Sequence, residues 1–150
     1  HLIVNLDYAD IRVLRRSEKS VVKLSLPSTV QNPGMAFSLA VSQDSTMLAA
    51  GFAFGELWLF QLRDGAGKHK LKASDFHVTG VCFADGDKRL ISLGSRGDLQ
   101  YWDTRTGRAV LAETATGVTD DTWVHFLRAD GRRRMLLTTD SGSLRIIKQP

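Results

Sequence analysis

The chain has 150 residues, of which 43% are hydrophobic and 24% charged, and its formal net charge is +4. That length and balance support one core of ordinary size and exclude an intrinsically disordered, collagen-like or transmembrane composition. The longest uncharged apolar runs, Met47 to Phe54 and Leu57 to Phe60, fall far short of the roughly 20 residues a membrane helix requires.

Taken in chain order, the elements fall into a repeating pattern. "LIVNLDYADIRVLR" from Leu2 reads as an apolar strand, a short turn ending at Ala9, the acidic Asp10 and a second strand; "RRSEKSVVKLSL" adds a turn and a third. "FSLAVSQDSTMLAAG" from Phe37 gives a strand and an Asp-bearing turn. It enters the hairpin "LAAGFAFGELWLFQ", which turns at Gly55, and "RDGAGKHKLKA" closes the unit. "VTGVCFADGDKRLISLG" from Val78 leads likewise into "LISLGSRGDLQYWD", turning at Gly97, and then "DTRTGRAVLAE". "DTWVHFLRADGRRRMLLTT" from Asp121 leads into "MLLTTDSGSLRIIK", turning at Gly142. The Asp and Gly residues supply the positive backbone angles that tight hairpins need. No stretch keeps a 3.6-residue period over a helix's length, and Pro27, Pro33 and Pro150 fall outside the strands.

The turn residues Ala9, Gly55, Gly97 and Gly142 stand 46, 42 and 45 positions apart, close to the roughly 40–45 residues of a four-stranded propeller blade. The expected fold is therefore an all-β propeller of four-stranded antiparallel blades, with strands a to d in each. The units are 1–28 (strands b to d), 35–73, 77–115 and 121–150 (strands a to c), all within one propeller. That makes about 3.5 blades of a ring expected to hold about seven. An open ring leaves strand edges bare. The remaining blades are thus expected from the rest of a longer chain or from a second chain, and the piece alone is expected to aggregate. The opening residue, His1, without an initiator methionine or a leader pattern, fits the same expectation of a processed or excised piece.

The segment "VTGVCFADGDKRLISLGSRGDLQYWD", Val78 to Asp103, resembles a WD-repeat unit through its terminal Trp102-Asp103, its Gly97 turn and its first strand. The resemblance extends over the whole chain at lower stringency. It implies a buried tryptophan braced by a histidine before strand a and an aspartate in the b–c turn, but Ser74 and Arg96 occupy those places here. In the other units the tryptophan position reads Leu14, Phe60 and Ile147. The repeats are diverged, and apolar packing is expected to outweigh polar networks in holding them.

No reactive constellation stands out. His1, His69, His77 and His125 have no spacing that suits a metal or a nucleophile pair, and His77 reads as a loop residue near the family's histidine. "GSRG" at Gly94 lacks the spacing of a nucleophile elbow, "GAGKHK" at Gly65 lacks that of a phosphate loop, and Asp120-Asp121 reads as turn chemistry. No catalytic, cofactor or metal residue is expected. The single cysteine, Cys82, cannot form an internal disulfide, which favours a reducing setting in cytoplasm or nucleus.

Two faces remain. The b–c turns and d–a loops would gather Tyr8, Phe54, Phe76, Arg96 and Trp123, with Ser141, into a protein-binding face rich in aromatic and arginine side chains. The competing reading has Tyr8 and Phe54 fold back over neighbouring blades. The a–b and c–d turns would gather Arg15, Arg16, Lys68, Lys70, Arg105, Arg108, Arg132, Arg133 and Arg134, a candidate for phosphate contact. Glu18, Asp64, Asp85, Asp87 and Asp130 dilute it, so an ordinary solvated rim competes. The expectation is a non-catalytic scaffold that docks partner proteins or peptides within a multiprotein complex, without cofactor and without membrane contact. The alternative is an RNA-associated subunit of a ribonucleoprotein that uses the basic turns.

Overall fold

A computed structural model describes residues 2–7, 10–15, 19–26, 34–114, 124–130, 134–139 and 144–148. The strands are β1 (Leu2–Asp7), β2 (Asp10–Arg15), β3 (Ser20–Leu24), β4 (Ala36–Val41), β5 (Met47–Phe52), β6 (Glu56–Gln61), β7 (Gly67–Lys72), β8 (Val78–Ala84), β9 (Arg89–Gly94), β10 (Asp98–Asp103), β11 (Ala109–Thr114), β12 (Val124–Asp130), β13 (Arg134–Thr139) and β14 (Leu144–Lys148). One turn of 3-10 helix, Ala53–Gly55, links β5 to β6. No helix among the described residues is long and apolar enough to cross a membrane.

The fold is all-β. Four antiparallel sheets follow one another along the chain: β1-β2-β3, β4-β5-β6-β7, β8-β9-β10-β11 and β12-β13-β14. Each is a simple meander of neighbouring strands, which needs only short turns. We call them the first to fourth sheets. The first strand of each later sheet sits at an edge, where β4 lies against β8 and β8 against β12.

Period-two alternation decides which residues meet between sheets. Leu48, Ala50 and Phe52 of β5 and Trp58 and Phe60 of β6 pack with Ile11, Val13 and Leu24 of the first sheet. The intervening Ala49, Leu57 and Leu59 turn the other way, against Val78, Val81, Leu90 and Trp102 of the third. The uninterrupted run Leu57 to Phe60 is thereby explained: a strand covered on both faces has no solvent side to reserve for polar residues. Each such side chain taken out of water contributes about 1.5–3 kcal/mol before entropy is counted. Gly51 lets the inner strands approach closely, because a Cβ there would fall 2.5 Å from both the Ser38 hydroxyl and Val78. Ser38 Oγ also donates to the Val78 carbonyl at 2.9 Å, stitching β4 to β8.

Polar contacts supplement this packing more than the sequence indicates. Trp102 Nε1 donates to Ser92 Oγ at 2.9 Å in a buried bond across β9 and β10. Ser74 Oγ donates to Asp98 Oδ2 at 2.8 Å. At the far end the Asp87 carboxylate accepts the Gln43 and Asp44 backbone N–H groups at 2.9 and 3.1 Å, and Thr104 Oγ1 donates to the Asp87 carbonyl. The Asp87 bonds to Gln43 and Asp44 tie the second sheet to the third.

Candidate functional site

At the end where β5 turns into β6, the loops of the second and third sheets interlock. The Gly55 carbonyl accepts the Ala73 N–H at 2.9 Å, Ala53 N–H donates to the Met35 carbonyl at 2.9 Å, and Ser95 N–H donates to the His77 carbonyl at 2.8 Å. Gly55 has φ +77°, and a Cβ there would collide with the Ser74 backbone carbonyl. Only glycine fits. The connections at this end are thus held by backbone bonds and close packing.

Phe54 stands on this frame with φ +63° and ψ 19°, a left-handed conformation unusual for an aromatic residue. Lys72 Nζ donates to its carbonyl at 2.9 Å. Its side chain is 61% exposed, so it does not fold back over a neighbouring sheet. Beside it, the Arg96 guanidinium lies 3.5 Å from the centroid of the Phe76 ring, and Ser74 Oγ accepts the Phe76 N–H at 3.1 Å. Met35, also exposed, adds a further apolar side chain from the entry to β4. Phe54, Phe76 and Arg96 therefore share one rim. Tyr8 and Trp123, and with them Ser141, lie outside the described residues.

The polar surroundings of this rim are mixed. A groove of about 370 Å³ opens next to it, lined by Lys72, Ser74, Asp75, Asp98, Gln100 and Glu113 among others. Its charged walls are one lysine and three carboxylates, an excess of negative charge that disfavours a polyanion.

The basic set is arranged differently from the sequence reading. Lys68, His69 and Lys70 were expected in a turn, but they lie within β7, because β-pairing begins at Gly67 opposite Phe60. Lys68 Nζ donates to the Thr104 carbonyl at 3.2 Å, and His69 Nε2 is 3.1 Å from the Arg105 carbonyl. Lys70 pairs with Glu56 at 2.6 Å and lies over the Trp58 ring at 5.6 Å. Lys70 thus faces the first sheet's neighbourhood as part of a strand, not the turns at the far end. Arg15 ends β2 and Arg134 begins β13, with their side chains outside the description, and Arg16, Arg132 and Arg133 lie outside the described residues altogether.

Sequence reasoning missed two participants. Ser92 is the diagonal neighbour of Trp102 across β9 and β10, whose register sets Trp102 opposite Leu90 and Gln100 opposite Ser92. Asp98, one place after Gly97, supplies a carboxylate near the place where the b–c turn carries Arg96. Among the described residues no group of three or more His, Cys, Asp or Glu side chains gathers as a metal site would. No protein-family model matches the chain.

Proposed function

We propose that the four sheets are diverged WD-repeat-like blades of a propeller, and that the chain is a non-catalytic scaffold docking partner proteins or peptides on the rim that carries Phe54, Phe76 and Arg96. The successive meanders, the adjacency of β4, β8 and β12, and the repeat spacing support the blade reading. The observation that carries the docking reading is Phe54: a large apolar side chain, 61% exposed, on a backbone conformation that costs energy and is pinned in place. Strain of this kind is retained where the surroundings fix it, and a pre-set aromatic loses little entropy when it binds. Aromatic and arginine side chains grouped on a rigid frame are what a binding hot spot uses. Closing the remaining ring falls to further blades or another chain, and the lone cysteine fits a reducing compartment of cytoplasm or nucleus.

The test is quantitative isolation of the tagged protein from its own cells, followed by reconstitution with each purified protein recovered. The reading predicts a discrete protein set that survives high salt, is released by Phe54→Ala or Arg96→Ala, and is unaffected by Lys68→Gln. Recovery of RNA instead, lost with salt and indifferent to Phe54→Ala, would overturn it in favour of the ribonucleoprotein alternative.

A further inference from the structure

The rim that carries Phe54 and Phe76 has a neighbour of opposite character. Between the second and third sheets, each with its four strands, the groove of about 370 Å³ opens beside it. Lys72 ends β7, Ser74 and Asp75 follow on the way to β8, Asp98 begins β10 and Glu113 lies in β11. One lysine stands there against three carboxylates, a local net charge of 1 − 3 = −2 in a chain whose total is +4. The groove runs against the sign of the whole molecule.

This negative charge is not cancelled within the described chain. Lys72 Nζ donates to the Phe54 carbonyl at 2.9 Å and lies 3.8 Å from Asp75, whose side chain is 90% exposed. Asp98 Oδ2 accepts from the neutral Ser74 hydroxyl at 2.8 Å, and Ser74 Oγ in turn accepts the Phe76 N–H. Among the described residues no lysine or arginine forms an ion pair with Asp98 or Glu113. Lys72 and Ser74 belong to both places, because each lines the groove and each holds the backbone of one of the rim's two phenylalanines. The aromatic rim and the carboxylates are thus parts of one surface.

We propose that this surface takes a short segment of a partner polypeptide that is both apolar and basic: an apolar side chain seats on Phe54, and a lysine or arginine of the same segment enters the groove toward Asp98 and Glu113. The inference rests on the docking reading and supplies the chemistry of the partner. Charge complementarity acts more on specificity and encounter than on affinity, so Phe54 carries the affinity and the carboxylates the choice of sequence. An acidic segment or a nucleic-acid backbone would meet like charge there. A bare metal ion is the competing occupant, yet among the described residues no three His, Cys, Asp or Glu side chains gather to hold one.

The probe is a displayed library of random short peptides, selected on the immobilised full chain with Phe54→Ala and the double variant Asp75→Asn, Glu113→Gln as parallel baits. Both substituted positions are exposed, and glutamine keeps an oxygen for the Tyr101 hydroxyl that Glu113 accepts, so the double variant is expected to fold. Peptides retained by the unsubstituted chain and lost on Phe54→Ala should favour Lys and Arg over Asp and Glu at least about fivefold, and the double variant should lose most of that preference while still retaining apolar peptides. For a recovered peptide, replacing its basic residue by methionine and neutralising the groove should each weaken binding about threefold or more, and the two together should do little more than either alone. Phe54-dependent peptides without a basic preference, or a basic preference that the double variant keeps, would overturn the proposal and leave the docking rim standing. Recovery of no Phe54-dependent peptide would overturn the rim and the proposal together.

Discussion

Phe54 holds two properties that oppose each other in stability. Its left-handed backbone favours glycine, while its exposed ring returns nothing to the core of the isolated chain. Phe54→Gly is therefore expected to change stability by no more than about 1 kcal/mol while weakening partner binding at least tenfold, about 1.4 kcal/mol. Paired thermal melts and titrations check this; a large loss of stability without a binding defect would assign the ring to the fold. Ser92 behaves in the opposite way. Ser92→Ala leaves the buried Trp102 N–H without an acceptor and is expected to cost about 1–3 kcal/mol by denaturant titration, with no effect on binding. Titration adds a third residue-scale case. The Thr106 hydroxyl, then its backbone N–H, hold the Asp103 carboxyl below its ordinary value of 3.8, as the Ser42 hydroxyl and Thr46 do for Asp44. The unfolded chain then binds more protons in mild acid, so this stabilisation is full above the ordinary carboxylate range and is lost as pH falls through the folded value. Thr106→Ala should flatten the loss of stability between about pH 5 and pH 2, measured by urea melts across that range. The Tyr101 phenol lies at the other extreme, pushed up to about 12 by burial and then by the negative charge of Glu113.

At the scale of elements, the strands were legible and several of their contacts were not. Period-two alternation and turn residues such as Gly55 and Gly97 mark hairpins from sequence, because local sterics decide them. The start of β7 was not marked: "GAGKHK" reads as turn by composition, and only pairing with β6 draws Lys68 and Lys70 into a strand. Ser92 was hidden for a related reason. A single small polar residue inside "LISLG" carries no signal until the register puts it diagonally across from Trp102. The exposure of Phe54 was one of two open readings, and the stacking of Arg96 on Phe76 is a contact that no local pattern in the sequence encodes. The clamp at the opposite end depends on a side chain reaching another sheet, which no local pattern encodes. Asp87→Ala should cost about 1–2 kcal/mol by removing the acceptor for two backbone N–H groups of the second sheet's turn. Asp87→Asn, keeping one oxygen acceptor and tolerating the φ of +67°, should recover part of it. At the other end Gly55→Ala should cost more than about 2 kcal/mol, since no rotation of the substituent avoids the Ser74 carbonyl.

At the scale of the whole molecule, the second and third sheets are stacked four-stranded meanders whose turns lie at two ends, and those ends differ in chemistry. One end groups an exposed aromatic, a stacked arginine and interlocked loops; the other is occupied by bonds between sheets such as Asp87 to Gln43 and Lys68 to Thr104. On the proposed reading, recognition falls to the first end, while the second holds the second and third sheets in register. A net charge of +4 does not by itself select a polyanion. The most direct measurement is the dissociation constant of the reconstituted complex, for the unsubstituted chain, Phe54→Ala and Lys68→Gln, at low salt and at about 1 M salt, where the screening length falls to about 3 Å. The account predicts binding that changes little with salt, falls at least tenfold on Phe54→Ala and is unmoved by Lys68→Gln. Binding that collapses at high salt and is the same with alanine at position 54 would contradict it.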